Sequence, residues 1–422
     1  MVQRNRYIVA LVLLIFFVIG LITNILGPII PDIIDNFRVS LTAAAVLPFA
    51  FFIAYGVMSI PAGFAVERYR EKKILLGAFL MSLAGALSFA LAPVYSMAIG
   101  SLFLIGAGMA VLQVAINPLL RVAGGEEHFA FNSAVVQFVF GLASFLSPRI
   151  YSSLVRDLHV MPADPGLALR TLARLTPHEL PWVSLYWVFA VVSAAMIVIV
   201  GASRFPLVHR KADEQAGTLS MYRTLLRNPV VPLYFLSVFA YVGSEQGTAD
   251  WMSKFLSDYH RYNPQTTGAE AVSWFWGLMT VGCFIGMLLL KIFDSSRVLV
   301  FASIGAIATL TVALIAPRDV AVVAFPLVGL FASVMWPILI SLALNSVAEH
   351  QGSFAGILCT AIMGGAVVPL IIGRVGDWAG LRTGLLVLYI TFGFVMSTGF
   401  WARPLIRNAT IGNREGAVNE KR

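Results

Sequence analysis

Charged residues are scarce in this sequence. Of its 422 residues only 12% are Asp, Glu, Lys or Arg, whereas 59% are hydrophobic. A soluble globular domain carries roughly 25% charged residues, so this composition excludes an ordinary soluble protein. We therefore expect a polytopic membrane protein.

Cysteine and histidine are also scarce. Cys283 and Cys359 are the two cysteines, and both fall in apolar segments, so no disulfide is expected. The six histidines show no metal-ligand spacing, and we find no Gly-rich phosphate loop, nucleophile motif or catalytic carboxylate pair. The sequence therefore predicts no enzyme, no metal site and no cofactor other than a coupling Na⁺ or H⁺.

Long apolar runs dominate the rest of the chain. A spanning helix needs about 20 mostly apolar residues, and twelve such runs lie between polar or Gly/Pro-rich breaks. They cover residues 7–31, 41–66, 74–93, 95–119, 128–153, 182–202, 230–257, 270–293, 298–316, 319–344, 352–376 and 383–403. The fold class predicted is an all-α membrane protein with 12 transmembrane helices in two six-helix bundles.

The net charge of +8 follows the loops between these runs. With both termini in the cytoplasm, nineteen of the 29 Lys and Arg residues lie on the cytoplasmic side, which the positive-inside rule favours. Basic patches interleaved with aromatic residues on a soluble face are missing, so no nucleic-acid partner is expected. We expect a multi-pass protein of the cell membrane, a monomer whose partners are the lipid bilayer and a small molecule.

The widest polar gap on the cytoplasmic side divides the chain into two sets of six runs. The predicted domains are an N-terminal bundle of residues 1–203, a linker of 204–229, a C-terminal bundle of 230–406 and a tail of 407–422. Paired bundles of this kind are typical of transporters with a central substrate site. Another gap, from Arg156 to Pro181, has room for a short surface helix.

The loop PAGFAVERYREKK, from Pro61 to Lys73, follows the second run. A small residue allows close helix approach, and charged residues can form bonds at an interface that opens and closes. We predict a cytoplasmic gate from Gly63, Glu67, Arg68, Lys72 and Lys73. Ordinary positive-inside charges are the alternative interpretation.

Four further segments give the chain a family resemblance. They are AINP (Ala115 to Pro118), YVGSE (Tyr241 to Glu245), FWGLMTVGCFIG (Phe275 to Gly286) and the stretch from Glu349 to Gly380. With the loop signature, they resemble the major facilitator superfamily and, within it, the fucose, glucose and galactose:cation symporters. The resemblance implies import of a monosaccharide, a hexose or deoxyhexose, by alternating access and with a coupling cation.

The chain departs from that family at the positions of its acids. The fucose:proton members carry an acid in the first span and a glutamate where this chain has Gln113, and these serve proton coupling and sugar binding. Here the apolar run of the first span contains no acid. Sodium symport, proton symport through other acids, and uncoupled uniport therefore all stay open, as does export of an amphipathic or drug-like compound.

Polar side chains within the apolar runs are the candidates for the transport site, because an unpaired polar group in hydrocarbon is costly. Gln113 and Asn117 lie four residues apart and so share a helix face, and their amides can bind sugar hydroxyls. They could equally hold helices together. The predicted substrate-binding residues are Gln113, Asn117, Asn24, Asn132, Gln137, Gln246, Trp251, Trp274 and Trp336.

Two acids fall inside the seventh run, Glu245 and Asp250. Acids at membrane depth commonly mark ion or proton pathways, so both are predicted to take part in ion coupling. Two alternatives stay open. Glu245 could be structural, and Asp250 could lie at the outer mouth in a pair with Lys254, four residues away.

Overall fold

The structure is a computed structural model, and it describes residues 6–124, 129–162, 164–205, 219–347 and 351–405. Within these ranges every regular element is a helix. The α-helices are α1 (Arg6–Thr23), α2 (Leu26–Phe37), α3 (Leu41–Tyr69), α4 (Glu71–Leu91), α5 (Tyr95–Gly124), α6 (Phe129–His159), α7 (Leu167–Leu175), α8 (Ser184–Ala202), α9 (Leu219–Arg227), α10 (Val230–His260), α11 (Ala269–Ile292), α12 (Ser295–Ile315), α13 (Arg318–Ala332), α14 (Met335–Leu344), α15 (Gln351–Thr360), α16 (Gly364–Ala379), α17 (Leu381–Leu385) and α18 (Val387–Trp401).

The helices form twelve spans, and the predicted fold class is confirmed. Eleven spans are long and apolar enough to cross a membrane on their own, and α10 reaches that standard together with α9, from which it is bent by 88°. Four spans are built from two helices each: α1 with α2, α13 with α14, α15 with α16, and α17 with α18. The short helix α7 occupies the gap between the fifth and sixth spans.

Proline accounts for the breaks in two of these spans. The first span is interrupted at Asn24 and Ile25, four residues before Pro28, and another is interrupted at Ser333, four residues before Pro337. Proline has no N–H, so the carbonyl four residues earlier loses its intrahelical partner. The two carbonyls therefore lack an intrahelical partner, and that of Ser333 accepts a hydrogen bond from the Cys283 thiol over 3.5 Å instead.

Close helix crossings depend on glycine. Within the N-terminal half (residues 6–205), a Cβ added to Gly106 of α5 would lie 2.2 Å from the Phe51 carbonyl oxygen of α3. Lipid tails are as apolar as leucine, so helices in a bilayer associate through such close packing and through hydrogen bonds. The same device recurs where the halves meet: a Cβ on Gly373 of α16 would lie 2.8 Å from the Leu41 carbonyl oxygen.

The two halves meet along four main helix pairs, α3 with α16, α6 with α11, α2 with α10 and α3 with α15. The surface that carries the described chain ends is termed the terminal face; there Tyr7 bonds Ser203 over 2.7 Å and the Leu405 amide donates to the Asn345 carbonyl over 2.7 Å. The opposite surface, where α2 and α16 end, is termed the far face. The halves are in contact at the far face.

Candidate functional site

The far face is closed by three polar contacts between the halves. In the first, Asp377 near the end of α16 accepts hydrogen bonds from the amides of Leu41 and Thr42, at 2.8 and 2.9 Å, and from the Thr42 hydroxyl at 2.5 Å. Those amides are at the start of α3, where the helix leaves its first N–H groups unpaired and its dipole favours a negative charge. Asp377 thus caps a helix of the other half.

The second contact centres on Asp32, a buried acid near the end of α2. Its carboxylate accepts hydrogen bonds from the Tyr151 hydroxyl of α6 and, over 2.9 Å, from the Gln265 side chain that precedes α11. Tyr151 belongs to the same half as Asp32, whereas Gln265 belongs to the C-terminal half (residues 219–405). One carboxylate therefore joins three elements, and two donors offset the cost of burying it.

The third contact joins α6 and α11. Arg149 donates to the Ser273 hydroxyl over 3.0 Å and lies 3.7 Å from the Glu270 carboxylate. Ser273 in turn donates to the Phe145 carbonyl over 2.6 Å, and the guanidinium stacks on the Phe145 ring at 4.4 Å. Hydrogen bonds and ring contacts supplement an ion pair that is itself partly exposed, so this contact does not depend on charge alone.

Packing between the halves is uneven from one face to the other. The C-terminal half contacts α3 through α15 and α16 in succession. By contrast, α5 packs extensively only against helices of its own half, α1, α3, α4 and α6. Among the described residues, α5 and α14 have no extensive contact. The assembly is thus closed at the far face and less closely packed toward the terminal face.

Glu245 is the partly exposed acid in the middle of α10, and its neighbours in the sequence on both sides are buried. Gln246 donates to its carboxylate over 3.4 Å, and the Tyr241 hydroxyl, one turn away, lies within bonding range. The Tyr241 ring contacts that of Trp336 on α14, with centroids 6.1 Å apart. Cys283 of α11 is close to the same carboxylate. A carboxylate, an amide and two aromatic rings therefore lie together at the centre of the C-terminal half.

Asn24 provides the corresponding polar group of the N-terminal half. It stands at the interruption of the first span, is 3% exposed, and donates from Nδ2 to the Ser144 hydroxyl over 2.7 Å. Its Oδ1 atom is buried without a hydrogen-bond partner. The Thr23 Oγ1 and the Tyr55 hydroxyl, which lie close to each other, are likewise buried and outside good hydrogen-bond geometry. Three buried polar atoms without a good hydrogen bond therefore lie at or next to the break in the first span.

Other predicted substrate-binding residues are spread around these two groups. Gln113 is partly exposed on α5, seven residues after Gly106 and hence on the side of the helix that faces α3. Gln137 is exposed on α6, seven residues before Ser144, so it lies on the Asn24 side. The side chain of Asn117 lies outside the described part of the chain, and its predicted role stays a prediction.

Asn132 and Gln246 are buried between helices. Asn132 lies about three turns before Ala143, which packs against Gly20 of α1, so it belongs to the contact between α6 and α1. Gln246 packs beside Gly365 of α16 and Phe52 of α3, at the seam between the halves. In this conformation both side chains contact protein.

Two of the predicted substrate-binding tryptophans lie away from the Glu245 group in this conformation, and their predicted role stays a prediction. Trp251 is fully buried, its indole N–H donates to the Pro369 carbonyl over 3.1 Å, and its ring lies against Gly373. It is a packing residue between α10 and α16. Trp274 is 46% exposed beside a groove between α11 and α13 and lies under Arg149, at 5.5 Å, so it belongs to the far-face closure. Trp336 alone of the three accompanies Glu245.

The alternative pairing of Asp250 with Lys254 is also wrong. Lys254 binds Asp258 over 2.7 Å, one turn further along α10. Asp250 is 2% exposed and its Oδ2 atom is buried without a hydrogen-bond partner. Lys254 pairs with Asp258 and not with Asp250 because Lys254 and Asp258 both lie nearer the helix end, whereas Asp250 is covered by α2.

The hydrogen bonds described for Lys72, in the loop predicted to form a gate, lie within one half. Lys72 donates to the carbonyls of Gly201 and Ser203 over 2.7 and 2.9 Å, which ties α4 to the end of α8. Arg68 stacks on Tyr69 at 5.5 Å, Lys73 is exposed, and Gly63 is partly buried. The side chain of Glu67 lies outside the described residues. The Phe64 ring of the same loop contacts the Tyr222 ring of α9 in the C-terminal half, with centroids 6.5 Å apart.

Asp32, Asp377 and Tyr241 are not among the residues predicted for the transport site, although the sequence indicates that Asp32 and Asp377 are helix-end charges or gate pairs close to the outer boundary. The first predicted span ended at residue 31, so the statement that it holds no acid was an error of boundary: the helix continues to Phe37 and includes a buried Asp32. Its signal was the proline-rich PIIPDIID stretch, which keeps apolar spacing beyond the first proline. No local signal indicated the partners of Asp377, because they lie more than 300 residues away.

Twelve spans in two halves, with polar groups at their centre, define a multi-pass membrane transporter and not an enzyme. The Major Facilitator Superfamily model matches residues 12–369, and the chain belongs to that superfamily. The glucose/galactose transporter of Brucella abortus is 30% identical over 390 residues, 92% of each protein. The L-fucose-proton symporter of Escherichia coli is 25% identical over 399 residues, 90% of this chain and 89% of that protein.

A crystal structure of a variant of the E. coli fucose:proton symporter has the same fold. It matches with a TM-score of 0.67 at 21% identity, covering 94% of this chain and 98% of that one. The resemblance to the fucose, glucose and galactose symporters that the sequence motifs indicated is thereby confirmed.

Proposed function

We propose that this protein imports a monosaccharide, a hexose or deoxyhexose, across the cell membrane by alternating access, with both termini in the cytoplasm and with a coupling cation. The observation that carries the proposal is the group around Glu245, where a partly exposed carboxylate, the Gln246 amide and the rings of Tyr241 and Trp336 lie together. The named relatives transport glucose, galactose or fucose.

The chemistry of this group suits a sugar. Carboxylate and amide oxygens accept hydrogen bonds from hydroxyl groups, and amide N–H groups donate to them. The apolar faces of a pyranose ring pack against aromatic rings, which Tyr241 and Trp336 supply. On the opposite half, Asn24 has a free Oδ1, so a sugar between the halves would contact both. No covalent step is required.

Alternating access follows from having two halves that separate at one face while they close at the other. The far face is closed by contacts from Asp32, Asp377 and Arg149. With the termini in the cytoplasm, the far face is extracellular and this structure corresponds to an inward-facing state. Uphill transport then needs an ion gradient, for which Glu245 and Asp250 are the candidate residues.

Uptake of labelled glucose, galactose and fucose into proteoliposomes tests the proposal. We expect saturable uptake of at least one of them, raised by an inward proton or sodium gradient. Trp336→Leu should lower the apparent affinity roughly two- to tenfold, since an aromatic contact is worth about 0.5 to 1.5 kcal/mol. Trp378→Leu, which changes an 88% exposed tryptophan, is the matched control and should transport normally.

Three outcomes would count against the proposal. Absence of uptake for every monosaccharide under either gradient would overturn sugar transport. Uptake without accumulation would leave a uniporter and overturn the coupling. If Glu245→Gln and Asp250→Asn both accumulate sugar as the parent protein does, these acids do not carry a proton.

A further inference from the structure

Asp250 is a carboxylic acid placed where the two halves are in backbone contact. A Cβ added to Gly27 of α2 would lie 2.3 Å from the Ala249 carbonyl oxygen and 3.3 Å from the Asp250 Cα. The two helices therefore cross at Asp250, and α2 covers it. When the halves separate at the far face, this is a surface that must come apart.

The buried side chain of Asp250 has no charge to pair with. The acids and bases on the packed elements are Asp32 and Asp35 on α2, Arg374 and Asp377 on α16, Glu270 and Lys291 on α11, Arg318 and Asp319 on α13, Arg382 on α17, Arg223 and Arg227 on α9, and Glu245, Lys254, Asp258 and His260 on α10 itself, together with the thiols of Cys283 on α11 and Cys359 on α15. Within the described ranges none of them forms an ion pair or hydrogen bond with Asp250.

Most of these groups have partners elsewhere. Asp32, Asp377, Glu270 and Lys254 are engaged as described above, and Glu245 is bonded to Gln246. Asp35 and Arg374 are exposed. Arg318 and Arg382 stack on Tyr262 and Tyr259 at 4.1 and 4.7 Å, and Asp319 accepts from Tyr262 over 3.3 Å. The hydroxyl of Tyr389, on the packed helix α18, bonds Thr311 over 2.7 Å.

An ionised carboxylate without a partner is costly to bury, whereas the neutral acid costs far less. A hard metal cation would need several oxygen ligands, and the described residues contain no group of three acid, histidine or cysteine side chains that could hold one. A proton needs only the one free oxygen, and Oδ2 of Asp250 is such an atom.

We propose that Asp250 is a proton-binding residue that controls the far face: the contact between α2 and α10 closes only after Asp250 has taken up a proton. When the far face is open, water reaches the carboxylate, and an O–H bond forms there with a proton from that side. Closure buries the neutral acid. Loss of the proton leaves a buried charge, which favours reopening.

This inference relies on the alternating-access part of the proposed function and is independent of the substrate. If the far face is extracellular, a proton taken up outside promotes closure on that side and thus the inward-facing state. The acid gradient would then drive import through Asp250, which lies on α10, and not through the first-span and fourth-span positions of the fucose:proton symporters.

Spin-label distances without sugar test the proposal. Cysteines replace Val160 and Trp378, two exposed far-face residues on different halves, in a background where Cys283 and Cys359 are serine. If closure takes up one proton, the ratio of closed to open molecules should fall up to about tenfold per pH unit over part of the range from about pH 5 to about pH 9. Asp250→Asn and Asp250→Ser should stay closed and lose this dependence.

Asp35→Asn, an exposed acid on α2, serves as the control and should keep the parent's pH dependence. The proposal is overturned if the parent protein shows no pH dependence, or if both Asp250 variants keep it. It is also overturned if Asp32→Asn alone abolishes it. Because no sugar is present, failure to transport sugar would leave the outcome unaffected, so the two proposals can fail separately.

Discussion

The far face and the terminal face of this transporter are held in different ways. At the far face, six described hydrogen bonds and one ion pair cross between the halves. At the terminal face, the described bonds of Tyr7, Lys72 and Leu405 stay within a half. The polar residues of the far face therefore set the conformation, whereas those three hold each half together.

Blocking the close helix crossing at Gly27 should have the largest effect, because it prevents closure of the far face. Gly27→Leu would place a side chain where an added Cβ is already 2.3 Å from the Ala249 carbonyl oxygen, so the far face could not close. We expect loss of transport and only the long distance between far-face spin labels. Gly100→Leu is the matched control, because a Cβ added there meets nothing within 4 Å. Normal closure in Gly27→Leu would contradict the structure.

Removing the helix cap across the halves should give the next largest effect. Asp377→Ala deletes three hydrogen bonds to the start of α3, and we expect the closed state to lose about 1 to 2 kcal/mol, since the site is exposed to solvent. A spin label at position 378 would lie next to the mutated residue, so labels at Asn36 and Arg382 should be used to measure the closed fraction of this variant. Asp164→Ala, which removes an exposed ion pair within one half, should change nothing.

Replacing Lys72 tests whether the loop from Pro61 to Lys73 forms a gate or only ties helices together within the N-terminal half. Its bonds to the carbonyls of Gly201 and Ser203 lie inside the N-terminal half, so Lys72→Met should lower the free energy of unfolding by about 1 kcal/mol and leave the closed fraction unchanged. Thermal unfolding and spin-label distances measure the two effects. Lys73→Met, at an exposed neighbour, is the control. A changed closed fraction would support the gating interpretation of this loop.

The smallest effect is expected for Glu270→Gln. The ion pair with Arg149 spans 3.7 Å between partly exposed side chains, and such pairs contribute less than about 1 kcal/mol. Arg149 also keeps its bond to Ser273 and its place on the Phe145 ring. Transport should therefore hardly change, and a severe loss would show that charge and not packing closes this part of the far face.

The spans could be predicted from the sequence because each one must satisfy the same local demand, a run of apolar residues long enough to cross a bilayer. The break at Asn24 was readable too, in principle, from Pro28. The contacts between halves could not be predicted in this way. The bond from Thr42 to Asp377 joins residues 335 positions apart, and nothing near either residue indicates the other.

The tryptophans show a second limit. Trp251, Trp274 and Trp336 look equivalent in the sequence, since each lies in or near an apolar run. The structure gives them three different surroundings: a packed helix contact, the edge of a lateral groove, and the Glu245 group. The surroundings depend on which helix face points inward, and near-uniform hydrophobicity around a span conceals that orientation.

The interruption at Asn24 gives the first span a joint. On one side of it, α1 is held to its own half through α6 and the bond between Tyr7 and Ser203; on the other, α2 lies against α10. Bending at this joint moves only the 12 residues of α2, whereas rocking of the halves moves a whole six-helix bundle. A lid-like movement of α2 can therefore close the far side before the halves complete their rotation. The transport cycle would then pass through an occluded intermediate, reached by the motion of one short helix.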